Sequence, residues 1–255
     1  MMLVVDSEVD PILAVLGPGI QAILGPDLIG LYLDGSLALG DFDSASDIDF
    51  VAVCSATITA EQLADLQALH DRVAALPGRL ALEIEGFYVP PAALNRPGPT
   101  PVVCPNLERG PGERLKPVTL EAGWVVHRWI LREHGITLVG PTPKTLVDPV
   151  TADDLRGAMR ALQDGWRVWL AGGGDLRQIG FLSYAVLSQC RLLYTLEHGS
   201  VVSKAVAAAW ALDRLPPTWR PVIAAARETR LGPGRASAPE EIAAAQRFMA
   251  YAASQ

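Results

Sequence analysis

Leu33-Asp34-Gly35-Ser36, then a polar stretch over residues 37–46, then Asp47-Ile48-Asp49-Phe50-Val51-Ala52-Val53: the organisation of the first half of the chain follows from these residues. Residues 28–33 form an apolar run that reads as a buried strand, and Gly35 ends it. Residues 47–53 read as the next strand, with a first half that alternates charge and hydrophobe. On a strand, residues two apart point to the same face, so Asp47 and Asp49 stand side by side. Two adjacent carboxylates repel each other, and a divalent cation is their common stabiliser. Magnesium favours one or two protein carboxylates together with substrate phosphates. Glycine at position 35 lets a phosphate approach the backbone, and the Ser36 hydroxyl can donate to a phosphate oxygen. Taken alone the acid pair is a weak signal; the neighbouring Gly35-Ser36 strengthens it.

Working outward, residues 9–24 have helical periodicity, with Gly17-Pro18-Gly19 expected to kink or interrupt the helix. Thr59, with Gln62 three positions on, is a candidate N-cap for a helix over 60–76, which Pro77-Gly78 ends. Residues 80–89 read as a third strand carrying Glu83 and Glu85 on one face. Acids are depleted in strands and rarely buried unpaired, so a second acid pair here is hard to explain as packing. The proline-rich stretch 95–117 reads as a long loop or linker. Helical patterns then dominate, at 121–134, 151–170, 178–198, 202–212, 217–229 and 238–253, with Ser200 or Ser203 as a cap for the helix that carries Lys204. The expected fold is an α/β N-terminal domain over 1–145, a mixed sheet flanked by helices, followed by an all-α helical bundle over 146–255.

The 255 residues suffice for a sizeable core. A net charge of −7 argues against nucleic acid as a partner and suits a polycationic small molecule. No apolar run is long enough to span a membrane, and the acidic start of the chain does not resemble a secretory signal. Cys54, Cys104 and Cys190 are sparse and odd in number, which points to a reducing cytoplasm rather than a disulfide framework. They have no zinc spacing with the four histidines.

The run from Leu33 to Val51 resembles the GS-x(10)-D-x-D signature of the DNA polymerase β-like nucleotidyltransferases. Cys190-Arg191-Leu192-Leu193-Tyr194-Thr195-Leu196 and the segment from Val201 to Pro216 are similar to the C-terminal domain of streptomycin/spectinomycin 3″(9)-adenylyltransferases. The resemblance covers nearly the whole chain. It implies Mg2+ held by Asp47 and Asp49, a nucleoside triphosphate (ATP as donor) contacted by Gly35, Ser36, Arg191 and Lys204, and a strand glutamate as base. Glu83 and Glu85 both match that base, with the context of Glu85 slightly favoured. It further implies a monomer that modifies a hydroxyl of an aminoglycoside or aminocyclitol.

Read as residues alone, Arg191 could be a structural cation paired with an acid and Lys204 a solvated side chain. Trp166, Trp169 and Trp210 read as core, His127 and His134 as surface or inter-helix polar residues, and Asp175 as part of a turn. One departure concerns the acceptor: the drug-modifying members have a tryptophan and acids just before the Arg191 helix, and residues 170–181 here lack them at matching positions. Two alternatives follow: a same-fold transferase acting on another small molecule or a protein hydroxyl, and a non-catalytic nucleotide-binding relative.

Overall fold

The computed structural model describes residues 8–96, 98, 100–232 and 234–255. The chain divides into two compact units, Met1–Pro149 and Val150–Gln255. The boundary falls after the expected residue 145 because the intervening residues pack into the first unit. Val147 is buried there, and the Asp148 N–H donates to the Leu94 carbonyl at 3.1 Å.

The first unit is built on a mixed six-stranded sheet. Its strands are β1 (Leu28–Leu33), β2 (Ile48–Cys54), β3 (Ile84–Val89), β4 (Val103–Leu107), β5 (Lys116–Thr119) and β6 (Ile136–Val139), in the order β5-β4-β3-β2-β1-β6. β2 and β3 pair in parallel; the other neighbours are antiparallel. Helices α1 (Asp10–Leu24), the single-turn α2 (Gly35–Ala38), α3 (Ala60–Ala74) and α4 (Trp124–His134) complete the unit. α1 runs through Pro18 without a break, contrary to the expected interruption. Gly19 keeps its place there because a Cβ would lie 2.4 Å from the Leu69 side chain of α3. Thr59 caps α3 as expected, in a reciprocal pair with Gln62.

Side chains alternate across the sheet. Leu31, Leu33, Ile48, Phe50, Ala52, Ile84 and Tyr88 pack toward α1 and α3. Tyr32, Val51, Val53 and Val89 pack with Trp124 and Leu131 of α4 on the other face. By the same alternation Asp49 and Glu85 belong to the α4 face.

Two expectations require correction. The stretch 95–117 is not a plain loop: it contains β4 and the start of β5, while Pro97 and Pro99 lie outside the described residues. Its prolines are tolerated because β4 pairs with β3 only at Leu107 and Asn106, and β5 is an edge strand, so Pro105 and Pro117 cost no ladder bond in the sheet interior. Nor does the third strand begin at Leu80. Arg79–Leu82 is a 3-10 turn, and pairing starts at Ile48↔Ile84 because β2 offers no partner before Ile48.

The second unit is helical: α5 (Ala152–Ala171), α6 (Ile179–His198), α7 (Lys204–Arg214), α8 (Arg220–Arg230) and α9 (Pro239–Ala252). The apolar α6 packs against the other four. Gly199 ends it in the left-handed conformation (φ +64°). Ser203 caps α7, accepting from the Val206 N–H at 3.1 Å. Among the described residues no helix is long and apolar enough to cross a membrane, and all three cysteines are free and buried.

Candidate active site

Three carboxylates converge on the α4 face of the sheet. The β2–β3 register sets Asp49 directly opposite Glu85. Asp47 sits one residue before β2, between two anchored neighbours. Arg79 donates to the Ser46 carbonyl at 2.9 Å, and the Ile48 N–H donates to the Glu83 carbonyl at 2.8 Å. One ligand oxygen from each of Asp47, Asp49 and Glu85 lies within 4.8 Å of the others, the spacing a metal ion needs. Glu83 does not join them. It lies outside β3 with φ −110° and ψ 48°, so the expected shared strand face with Glu85 does not exist. Its carboxylate is 3.7 Å from Arg109, which also pairs with Asp47 at 2.9 Å.

Crowding shows in the proton affinities. Burial, then Asp47, Asp34 and Glu85, raise the Asp49 carboxyl well above its ordinary value. Burial and Asp47 also raise Glu85, with His127 and Arg109 opposing. A cluster that resists full ionisation by itself fits a divalent cation, which would stabilise all three carboxylates.

The Gly35-Ser36 turn lies against this cluster. Gly35 has φ +60°, and a Cβ on it would lie 1.8 Å from Asp49 Oδ2. Only glycine lets the turn and the carboxylate share this space. The Ser36 Oγ is buried and has no hydrogen-bond partner among the described residues. A buried hydroxyl without a partner is costly, and a phosphate oxygen would satisfy it.

Three residues here were not proposed as site residues from the sequence. Arg109 lies in the Gly/Pro-rich connection between β4 and β5, far along the chain from the acids it pairs with. Asp34 immediately precedes Gly35 and is 1% exposed; its Oδ2 accepts from His127 Nδ1 at 2.6 Å. His127 projects from α4, its ring stacked on Trp124 (centroids 5.4 Å) and tilted against Phe87 (5.6 Å). Burial works against its charge, but Asp34, with Asp49 and Glu85, outweighs this and raises the imidazole above its ordinary value. His127 is therefore not the surface or inter-helix residue expected. A signal was present: an acid directly after a buried strand needs a partner if it is buried too.

Arg191 and Lys204 belong to the helical unit. Arg191 is half-buried on α6, with no ion pair or hydrogen bond of its side chain among the described residues, which leaves the structural-pair alternative without an acid. Lys204 opens α7, its Nζ 4.4 Å from the Tyr184 ring centroid. Trp166, Trp169 and Trp210 are half-buried rather than core. Trp166 and Trp169 continue into Phe181 and Tyr184 as a partly exposed aromatic row, while Trp210 packs on Tyr194 and His198. The turn expected at Asp175 lies at Gly172-Gly173; Asp175 follows it, its carboxylate accepting from the Arg177 backbone N–H and side chain.

Comparison with known proteins agrees with this layout. Residues 145–255 match the family model described as "Aminoglycoside adenylyltransferase, C-terminal domain". An aminoglycoside (3″)(9) adenylyltransferase of Shigella flexneri is 27% identical over 248 residues, covering 89% of this chain and 87% of the relative. A spectinomycin 9-adenylyltransferase of Campylobacter jejuni is 25% identical over 223 residues, covering 83% and 81%. Among solved structures, the spectinomycin adenyltransferase AAD(9) from Enterococcus faecialis, crystallised with ATP and spectinomycin, matches with a TM-score of 0.77 at 16% identity. That match covers 96% of this chain and 99% of the other, so the fold is shared throughout. Over residues 145–255 the chain thus carries the aminoglycoside adenylyltransferase C-terminal domain, joined to an α/β unit bearing Gly35-Ser36 and Asp47-Ile48-Asp49.

Proposed function

We propose that the protein transfers an adenylyl group from ATP, with Mg2+, to a hydroxyl of a cationic small molecule of the aminoglycoside or aminocyclitol class. The observation that carries this reading is the cluster of Asp47, Asp49 and Glu85 beside an unpartnered Ser36 hydroxyl, in a chain whose relatives bear adenylyltransferase names. Asp47 and Asp49 would hold the metal, which supplies charge neutralisation at the triphosphate. Ser36 donates to a phosphate oxygen, and Gly35 admits the phosphates close to the backbone. Arg191 and Lys204 contribute positive charge toward the triphosphate.

Glu85 is the proposed base. Burial and Asp47 raise its proton affinity, which suits a group that must accept a proton near neutral pH. The acceptor oxygen bonds to the α-phosphorus, its proton passes to Glu85, and the bond from that phosphorus to pyrophosphate breaks. Positioning and electrostatics supply most of the acceleration. The net charge of −7 favours a polycationic acceptor, and the three free, buried cysteines suit a reducing compartment such as the cytoplasm.

The test is incubation with ATP, Mg2+ and a panel of aminoglycosides and aminocyclitols. The expected result is release of pyrophosphate and a mass gain of one adenylyl group on at least one compound. Pyrophosphate release stimulated by some other hydroxyl compound, with every drug unmodified, would favour a different small-molecule acceptor. The Gly172-Gly173-Gly174 stretch, which differs from the drug-modifying pattern, keeps that second reading in view. No ATP-dependent pyrophosphate under any condition would overturn the transferase reading.

A further inference from the structure

Asp34 occupies the N-cap position of α2, where an aspartate ordinarily turns its carboxylate back onto its own helix. Here it makes no such bond. Its N–H is tied to the Asp49 carbonyl at 3.0 Å, and its Oδ2 is drawn to His127 Nδ1 at 2.6 Å. Among the described residues the other carboxylate oxygen, Oδ1, is buried with no partner, and so is the Ser36 hydroxyl two residues on. A carboxylate and an unused donor therefore stay apart within one turn. Left to itself, the carboxylate has a local alternative, the hydroxyl and backbone N–H groups of the turn it precedes.

We propose that His127 is a positioning residue for the nucleotide: by holding the Asp34 carboxylate on the α4 side, it keeps the Gly35-Ser36 turn open to phosphate. Three observations support this role. His127 is fixed independently of Asp34, by Trp124 and Phe87 against its ring. Asp34 is 1% exposed, so water does not compete for its carboxylate. The pair also bridges two elements that are distant in sequence, α4 and the turn after β1. Without His127, Asp34 would occupy the donors meant for phosphate and set a negative charge where phosphate must enter. The inference rests on the nucleotide-binding reading above.

The test is calorimetric titration of ATP with Mg2+, without acceptor, into the full chain. His127→Phe keeps a ring against Trp124 and Phe87 but has no donor; it is expected to weaken ATP binding by about 10-fold or more, the scale of a lost charge-assisted hydrogen bond. Adding Asp34→Asn to that variant removes the misplaced charge and should recover at least ~3-fold, a coupling that a merely structural role would not produce. His127→Asn restores a donor near the Nδ1 position and should bind within ~3-fold of the native chain. Should His127→Phe not fold, His127→Ala is read the same way. Native-like affinity in the donor-less variant, or a double variant no tighter than the single, overturns the proposal while leaving the nucleotide reading intact. A native chain that binds no ATP overturns both.

Discussion

Asp49→Asn is expected to lower nucleotide transfer by about 10³-fold or more, the scale at which a charge placed against the developing transition state is lost. The same substitution should make the metal-free protein more stable, by about 1 kcal/mol, or roughly 2–4 °C in melting temperature. Both effects have one origin. Burial and the neighbouring Asp47, Asp34 and Glu85 raise the proton affinity of Asp49 in the folded chain. A carboxyl raised on folding contributes stability that is present below its unfolded value and is lost as pH rises through its folded value. The gap between Asp49→Asn and the native chain should therefore be closed in acid and open as pH rises above the ordinary carboxylate range. Thermal melting in EDTA across that range checks this, with turnover measured in parallel. Added Mg2+ should narrow the gap at neutral pH, since it stabilises the native carboxylates and gains little from the amide. A metal-free Asn variant that melts at or below the native chain at neutral pH would contradict the account of the cluster.

Gly35→Ala should also lower activity, by about 10²-fold and by a different route. At φ +60° an alanine carries about 1–2 kcal/mol of backbone strain. Its methyl would also stand 1.8 Å from Asp49 Oδ2 and 3.1 Å from Asp49 Cβ, so rotating the carboxylate alone does not make room. Either the turn or β2 must shift, and a displacement near 1 Å at a reacting centre is worth about 10²-fold in rate. Gly40→Ala is the control. Gly40 has φ +71°, but the methyl an alanine adds there meets nothing within 4 Å, so this variant should show the strain in melting and leave turnover nearly unchanged. Equal losses of activity in the two variants would mean that the contact between Gly35 and Asp49 is not what matters.

The sequence was readable where one local rule dominated. Thr59 and Gln62 announced a capped helix, and residues 28–33 and 47–53 announced strands that the structure places at Leu28–Leu33 and Ile48–Cys54, because capping and apolar continuity act over a few residues. The reading failed where pairing partners decided the outcome. Pro105 and Pro117 looked like breakers, yet each sits where no interior ladder bond is required. Glu83 and Glu85 looked equivalent, yet pairing with β2 begins only at Ile84, and this leaves Glu83 in a turn beside Arg109. β6 was not anticipated at all; its four half-buried residues are defined by β1 rather than by a strong period of their own. Within the site, Asp47, Asp49 and Glu85 could be proposed because spacing on a strand implies a face. Arg109 could not, nor could His127 as the partner that Asp34 needs, since contacts between residues so far apart in the chain leave no mark in any short window of sequence.

The parallel pairing of β2 with β3 has a bearing on how the protein reaches its working state. Every other strand pair in the sheet is antiparallel, whereas this one requires the chain to cross over through α3 before Glu85 can meet Asp49. Such non-local pairings form late, because the entropy of closing the intervening loop must be overcome before the contacts offset it. A slip of one residue would turn Glu85 toward the opposite face while leaving helices and most of the sheet in place. The carboxylate cluster thus doubles as a proofreading mark for the fold: a chain trapped in the wrong register would have most of its secondary structure and still lack its metal site.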